Sequence, residues 1–142
     1  MIRIYTSSSV LDSDESDTLC RRVIEESKDP THVISFPECT YHNPTHPYEL
    51  MSSFKSYVYK MMKTNQEMRT NQDLWVVTYS TLVCDIIRLC AKELNLNDAV
   101  EIYDFTKDER IVRVTSVDAN GRMYNTVKGL FDAEEQILLK LI

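Results

Sequence analysis

Up to about residue 96 the chain alternates short apolar runs with amphipathic stretches, and this alternation constrains the fold more than any single residue does. The opening "MIRIYTS" is short and rich in β-formers. "DSDESDTLCRRVIEES" then sets acidic residues ahead of an apolar-periodic run, where they favour a helix start, and predicts a helix from about Asp14 to Ser27. "THVISF" is a compact apolar strand, and Pro37, Pro44 and Pro47 break regular structure beyond it. From Tyr48 onward, Leu50, Met51, Phe54, Val58, Met61 and Met62 recur at helical spacing and form one packing face. "LWVVTYS" is a second buried strand, and "STLVCDIIRLCAKELN" an amphipathic helix with Ser80 as N-cap. Strands separated by helices of this length pair in parallel, so the predicted class is α/β, a small parallel-type sheet with crossover helices.

The remaining sequence changes period. Val100 to Phe105 and Ile111 to Val117 alternate apolar with polar residues around the charged turn "TKDER", which predicts a β-hairpin closing the sheet. "DANG" supplies another turn, with Asn120-Gly121 suited to positive φ. The tail after Gly129 predicts a C-terminal helix with Asp132 as N-cap and Ile137, Leu138, Leu141 and Ile142 on an apolar face. With no linker, repeat or low-complexity tract, the 142 residues read as one domain, 1–142.

Composition narrows the function. A formal net charge of −6 argues against a phosphate-backbone footprint, so nucleic acid is not an expected partner. No run approaches the roughly 18 apolar residues of a membrane span. The start lacks the apolar core and basic flank of a signal peptide, and the expected location is cytoplasmic. Cys20, Cys39, Cys84 and Cys90 form no CxxC pair and read as reduced core thiols. Gly121 and Gly129 are the only glycines, so nothing before residue 121 can form a conventional glycine-rich phosphate loop, and GxxxxGK[ST] is absent.

The stretch "VISFPECTYHNPTHPYEL" concentrates the residues with catalytic chemistry. Glu38, His42 and His46 are spaced by four, with Cys39 alongside, so a small hydrolase or metal-dependent enzyme built on them is one reading. Pro44 between the histidines and Pro47 after them rule out the helical HExxH geometry, and a loop-borne site still needs a third ligand. His32 lies on the other side of the strand. No GxSxG elbow supports a serine nucleophile, and no motif supports a Cys39–His42 pair. Neither a metal nor a cofactor is expected.

Residues 33–43 also resemble the Walker B segment of SMC/ABC-type ATPases of the overcoming-lysogenization-defect (OLD) group, an apolar strand followed by E-x-P-E-x-H-L-H-P. Here the letters are S-F-P-E-C-T-Y-H-N; Pro37, Glu38 and His42 agree, and Tyr41 takes an apolar position. The family's next strand ends in T-H-S before a helix, and "WVVTYSTLVCDIIRL" supplies Thr78 and Ser80 but has Tyr79 for histidine. The hairpin and "GLFD" look like the end of such a head, so the resemblance spans nearly the whole chain and implies half of an ABC-ATPase-like head. It also implies lost chemistry. The positions that hold Mg²⁺, polarise water and contact the γ-phosphate correspond to Ser35, Glu38 and Tyr79, and only Glu38 keeps its chemistry. The phosphate-loop lobe has no counterpart ahead of residue 33. The signature loop falls at "TSSSVLDSDESDTL", whose serines could hold an oxyanion but whose Asp12, Asp14, Glu15 and Asp17 repel a triphosphate.

The expected function is therefore a catalytically inactive ATPase-like lobe that binds protein, either a full-length ATPase or its own copy, with a viral or mobile-element origin fitting so reduced a form. A structural subunit of a larger assembly is a further reading. Asp12, Asp14, Glu15 and Asp17 are the interaction candidates, as a docking site for a basic partner. The same four residues equally suit a solvated helix start. Tyr41, Tyr48, Tyr57 and Tyr59, close in sequence, are of a type useful at interfaces.

Overall fold

The computed structural model describes residues 1–28, 32–35, 47–70, 72–96, 98–106, 108–124 and 130–142, with backbone only at 35 and 133–135. Glu38, Cys39, Tyr41, His42, His46 and Gly129 lie outside the described residues. The elements run β1 (Ile2–Thr6), α1 (Ser13–Ser27), β2 (Val33–Ser35), α2 (Pro47–Glu49), a π-helical turn (Leu50–Phe54), α3 (Lys55–Met68), β3 (Leu74–Val77), α4 (Thr81–Glu93), β4 (Val100–Phe105), β5 (Ile111–Val117), β6 (Met123–Tyr124) and α5 (Ala133–Leu141).

The fold is α/β, with one six-stranded mixed sheet in the order β2-β3-β1-β4-β5-β6. β1 is central, in parallel register with β3 (Ile4↔Val76) and with β4 (Ile4↔Ile102), while β2 pairs in parallel with β3. The expected hairpin is present, but it widens the sheet: β4 is itself a parallel partner of β1 and pairs antiparallel with β5, whose end pairs with β6. Gly121 takes φ +75° in the turn before β6, and the Asp118 N–H donates to Arg122 O at 3.0 Å across it.

Helices cover both faces of the sheet around β3, which fits the unbroken apolar run Leu74–Val77. One face packs α3 and α4 over Ile2, Ile4, Leu74, Val76, Val100 and Ile102. The other packs α1, through Leu19 and Val23, over Tyr5, Val77 and Phe105. This division follows from topology: β1 to β2 moves one way along the sheet, whereas β2 to β3 and β3 to β4 move back. Right-handed crossovers then require α1 on one face and α3 with α4 on the other.

Local chemistry fixes the helix ends. Asp12 caps α1, its carboxylate accepting from the Glu15 N–H at 2.8 Å while Glu15 reaches back to the Asp12 N–H, a capping box. Ser80 caps α4 as expected, its Oγ accepting from the Val83 N–H. Met51 departs from the expected packing face and is 46% exposed, while Leu50, Phe54 and Val58 are buried. The π turn takes one residue more than an α turn, which rotates the preceding residues and leaves Leu50, not Met51, facing the sheet. In α5 the predicted helix forms, but its apolar face is uncovered: Ile137, Leu138 and Leu141 are 58%, 60% and 76% exposed. Asp132 sits at the N-cap, and its carboxylate accepts from Gln136 Nε2.

Candidate functional site at the carboxyl end of the sheet

Neighbouring strands β1 and β3 send their connections to opposite faces, which creates the crevice at the carboxyl end of an open sheet where α/β proteins bind ligands. Three segments meet there: loop 7–12 after β1, residues 78–80 after β3, and Asp104 with Phe105 at the end of β4. The strand–loop–helix unit β1–α1 has the connectivity with which phosphate loops present backbone N–H groups at a helix start. Loop 7–12, "SSSVLD", has neither the glycines nor the lysine of such a loop.

Several of its donors are instead engaged within the chain. Ser8 donates its N–H to Asp104 Oδ1 at 2.8 Å and its hydroxyl to Asp104 Oδ2 at 2.9 Å. Ser7 Oγ donates to the Phe105 carbonyl at 2.7 Å and accepts from the Ser9 N–H at 3.2 Å. Asp104 is 6% exposed and Ser7 5%. A carboxylate thus occupies the place where an N–H and hydroxyl pair would hold an oxyanion.

Tyr79 fastens the other end of the loop. Its hydroxyl accepts from the Leu11 N–H at 3.1 Å and lies 3.4 Å from the Ser9 carbonyl, to which it donates. The Thr78 N–H donates to Tyr5 O, and Thr78 Oγ1 accepts from the Ser80 N–H at 2.9 Å, so the "TYS" turn is held against β1 on one side and starts α4 on the other. Where the resemblance implied a phosphate contact, the phenol ties down the loop.

The sequence-predicted residues are brought together only in part. Ser35 ends β2 opposite Val77, so its backbone and Tyr79 share the carboxyl end of the sheet. Glu38, His42 and His46 lie outside the described residues. Asp12, Asp14 and Asp17 are exposed and Glu15 half-buried at the start of α1, where Asp12 and Glu15 cap the helix and the Asp14 carbonyl accepts from Thr18 Oγ1. Ser8 falls among the serines read as possible oxyanion donors, whereas Asp104 belongs to no motif; its signal is an acidic residue near the end of a strand followed by apolar Phe105, since buried carboxylates require partners.

Several polar side chains elsewhere pair with one another, whereas Ser16 Oγ is buried without a hydrogen-bond partner among the described residues. Arg3 Nη1 meets Asp73 at 2.8 Å and stacks over Trp75, and Tyr5 stacks on Tyr103 with centroids 4.8 Å apart. Burial raises both phenol pKa values, with the Tyr103 hydrogen bond to Glu101 adding to its own. A concavity of about 570 Å³ at the opposite, amino end of the parallel strands is lined by Asp98, Glu101, Arg113 and Tyr124. Arg113 pairs with Glu101, and Tyr124 OH donates to Asp98.

Cys84 and Cys90 are buried free thiols and Cys20 is half-buried against the α1 core. Among the described residues, no group of three or more His, Cys, Asp or Glu is placed to hold a metal ion, and no helix is long and apolar enough to cross a membrane. Compared with protein-family models, curated proteins and solved structures, the chain matches none of them.

Proposed function

We propose that this chain is a non-catalytic, ATPase-lobe-like module that works by binding another protein, with α5 as its anchor. The observation that carries the reading is the apolar row on α5. Ile137, Leu138, Leu139 and Leu141 are 58–76% exposed and the following Ile142 is fully exposed, a concentration of apolar side chains that water does not favour. Ile137, Leu138 and Leu141 lie at i, i+1 and i+4 on one side of the helix, the pattern of a helix that docks in an apolar groove. The crevice supports the non-catalytic half of the reading, because the Ser8 donors of loop 7–12 serve Asp104 and Tyr79 serves the loop. The occupant favoured by the resemblance is a groove on an ATPase of the same group.

The test compares tagged wild type with Ile137→Ser/Leu141→Ser in capture from the native host, with native mass spectrometry of the eluate. An ATPase retained in stoichiometric amount by wild type and lost from an equally folded double variant is the expected result. Equal retention by both, or recovery of wild type alone as a monomer, overturns the proposal. A homodimer that the double variant breaks replaces the ATPase with a second copy.

A further inference from the structure

We propose that the concavity at the amino end of the parallel strands is a binding site for a small zwitterion, a molecule that carries an ammonium and a carboxylate a few bonds apart. It lies at the opposite end of the sheet from the crevice and does not depend on α5 docking a partner. Its volume, about 570 Å³, falls within the roughly 300–1,000 Å³ of small-molecule sites. Strand register explains why the space exists. Glu101 pairs with Ser116 and Ser116 with Tyr124, so the three side chains form one row across β4, β5 and β6 on a single face. Ser116, the small member in the middle, leaves a gap between two long neighbours, and all three line the cavity.

A shift in the same ladder brings a cation to this row. Val100, Glu101 and Ile102 face Val117, Ser116 and Thr115; continued, that register sets Asp104 opposite Arg113 and turns Arg113 to the other face. The irregularity between Ile102 and Tyr103 sets Tyr103 opposite Arg113 instead and returns the guanidinium to the face of Glu101, the re-aiming that bulges perform beside binding sites. The charges gathered there are incompletely used. Tyr103 OH at 2.8 Å and Arg113 Nη1 at 3.4 Å both donate to Glu101 Oε2, which leaves Oε1 for the cavity although the side chain is only 15% exposed. Tyr124 OH donates to Asp98 Oδ1 at 3.3 Å and leaves Oδ2. Arg113 gives one long bond and is 63% exposed, so most of its donor fork is open. The Met1 ammonium also borders the space and is held by Asp73 at 3.6 Å. A simple cation entering here meets Arg113, and a simple anion meets two carboxylates, so each is repelled by part of the lining. A zwitterion satisfies both, with its ammonium on the remaining carboxylate oxygens and its carboxylate on Arg113.

The experiment uses the full chain as wild type, Ser116→Leu, Arg113→Gln and Glu101→Gln. The backbone amides of Arg113 and Ser116 are followed by NMR during titration with glycine and L-glutamine as zwitterions, and with ethylammonium and acetate as their separate halves at matched ionic strength. Wild type should show saturable shifts with at least one zwitterion and only the general salt response with either half. Ser116→Leu fills the gap while keeping every charge, and should abolish the saturable response. Arg113→Gln and Glu101→Gln should each weaken it about tenfold or more, the loss of one charge-assisted contact. Absence of a saturable shift with both zwitterions overturns the proposal, as does an equal response to ethylammonium or acetate alone. Should Ser116→Leu or Glu101→Gln fail to fold, Arg113→Gln decides, because its side chain is exposed and its loss leaves the core untouched. Zwitterion binding unchanged in that variant overturns the assignment.

Discussion

Replacing Tyr79 by Phe removes one oxygen and leaves the ring, so it isolates the fastening of loop 7–12 from the packing of the side chain. The hydroxyl accepts from the Leu11 N–H at 3.1 Å and lies 3.4 Å from Ser9 O, and Leu11 itself is 1% exposed. A neutral hydrogen bond contributes about 1 kcal/mol net, and a donor left without its acceptor in a buried setting costs about 1–3 kcal/mol. At 3.4 Å the Ser9 bond is long, so the Leu11 contact dominates and the expected loss is about 1–2 kcal/mol. For a chain of this size that lowers Tm by roughly 3–6 °C. Urea titration at neutral pH measures the loss, and amide exchange locates it at Leu11 with little change on α4. A loss below about 0.5 kcal/mol with unchanged Leu11 exchange would refute the assignment of Tyr79 as the loop's fastening. Tyr79→His introduces the residue found at this place in the ATPase pattern. It should destabilise the loop and confer no ATP hydrolysis, since Ser8 remains engaged with Asp104; measurable hydrolysis in that variant contradicts the reading of the crevice as filled.

Burial pushes the Cys84 thiol up to about 12 and Cys90 to about 11, from an ordinary value of 9.0. The folded state then holds these protons more tightly than the unfolded state. Their contribution is complete below pH 9 and is lost as pH rises towards 11–12, by roughly 2–3 kcal/mol for Cys84 at pH 11, read from urea midpoints against a Cys84→Ala control. Alkylation of the native protein should accordingly reach half-buried Cys20 well before Cys84 or Cys90. Gly121→Ala places a Cβ 3.0 Å from the Arg88 carbonyl at φ +75° and should cost more than about 1 kcal/mol in a thermal melt, whereas Asn120→Ala beside it should be nearly neutral. Asp12→Ala removes half of the capping box and should cost about 1 kcal/mol, while Asp17→Ala changes stability by less than about 0.5 kcal/mol; if Asp14 and Asp17 serve a basic partner, their loss appears only in binding.

The architecture was legible because it depends on period. Short apolar or alternating strand sequences, amphipathic helices between them and the turn "DANG" each report on neighbours a few residues away, and β1, β3, β4, α1 and α4 appear where those patterns place them. Errors arose where the period itself changes or the partner is remote. The π turn displaced Met51, and no local pattern announces an extra residue in a helical turn. The apolar row of α5 looks the same in sequence whether it covers the core or faces solvent. The hairpin that closes the sheet is legible as a pair of strands, but its parallel pairing with β1 depends on residues about a hundred positions earlier in sequence.

The crevice is the strongest case of this limit. Ser8 and Asp104 are separated by 96 residues, and Leu11 and Tyr79 by 68, so neither pairing leaves a spacing to recognise. A reading built on motifs compares this chain with residues that bind phosphate and finds Ser35 and Tyr79 deficient. In the structure the Tyr79 hydroxyl is engaged with the Leu11 N–H and the Ser9 carbonyl, and Ser8 with Asp104. A loop rich in serine but without glycine or lysine has donors to satisfy and no cation to attract a phosphate. A buried carboxylate at the end of β4 has two oxygens that require donors. Each resolves the other's cost, so changing Asp104 alone should be worse than changing Ser8 and Asp104 together to alanine. That non-additivity, measured as a double-mutant cycle in urea, should be at least about 1 kcal/mol. Simple additivity would mean that the two groups merely lie side by side and that the loop is ordered by Tyr79 and Ser7 without them.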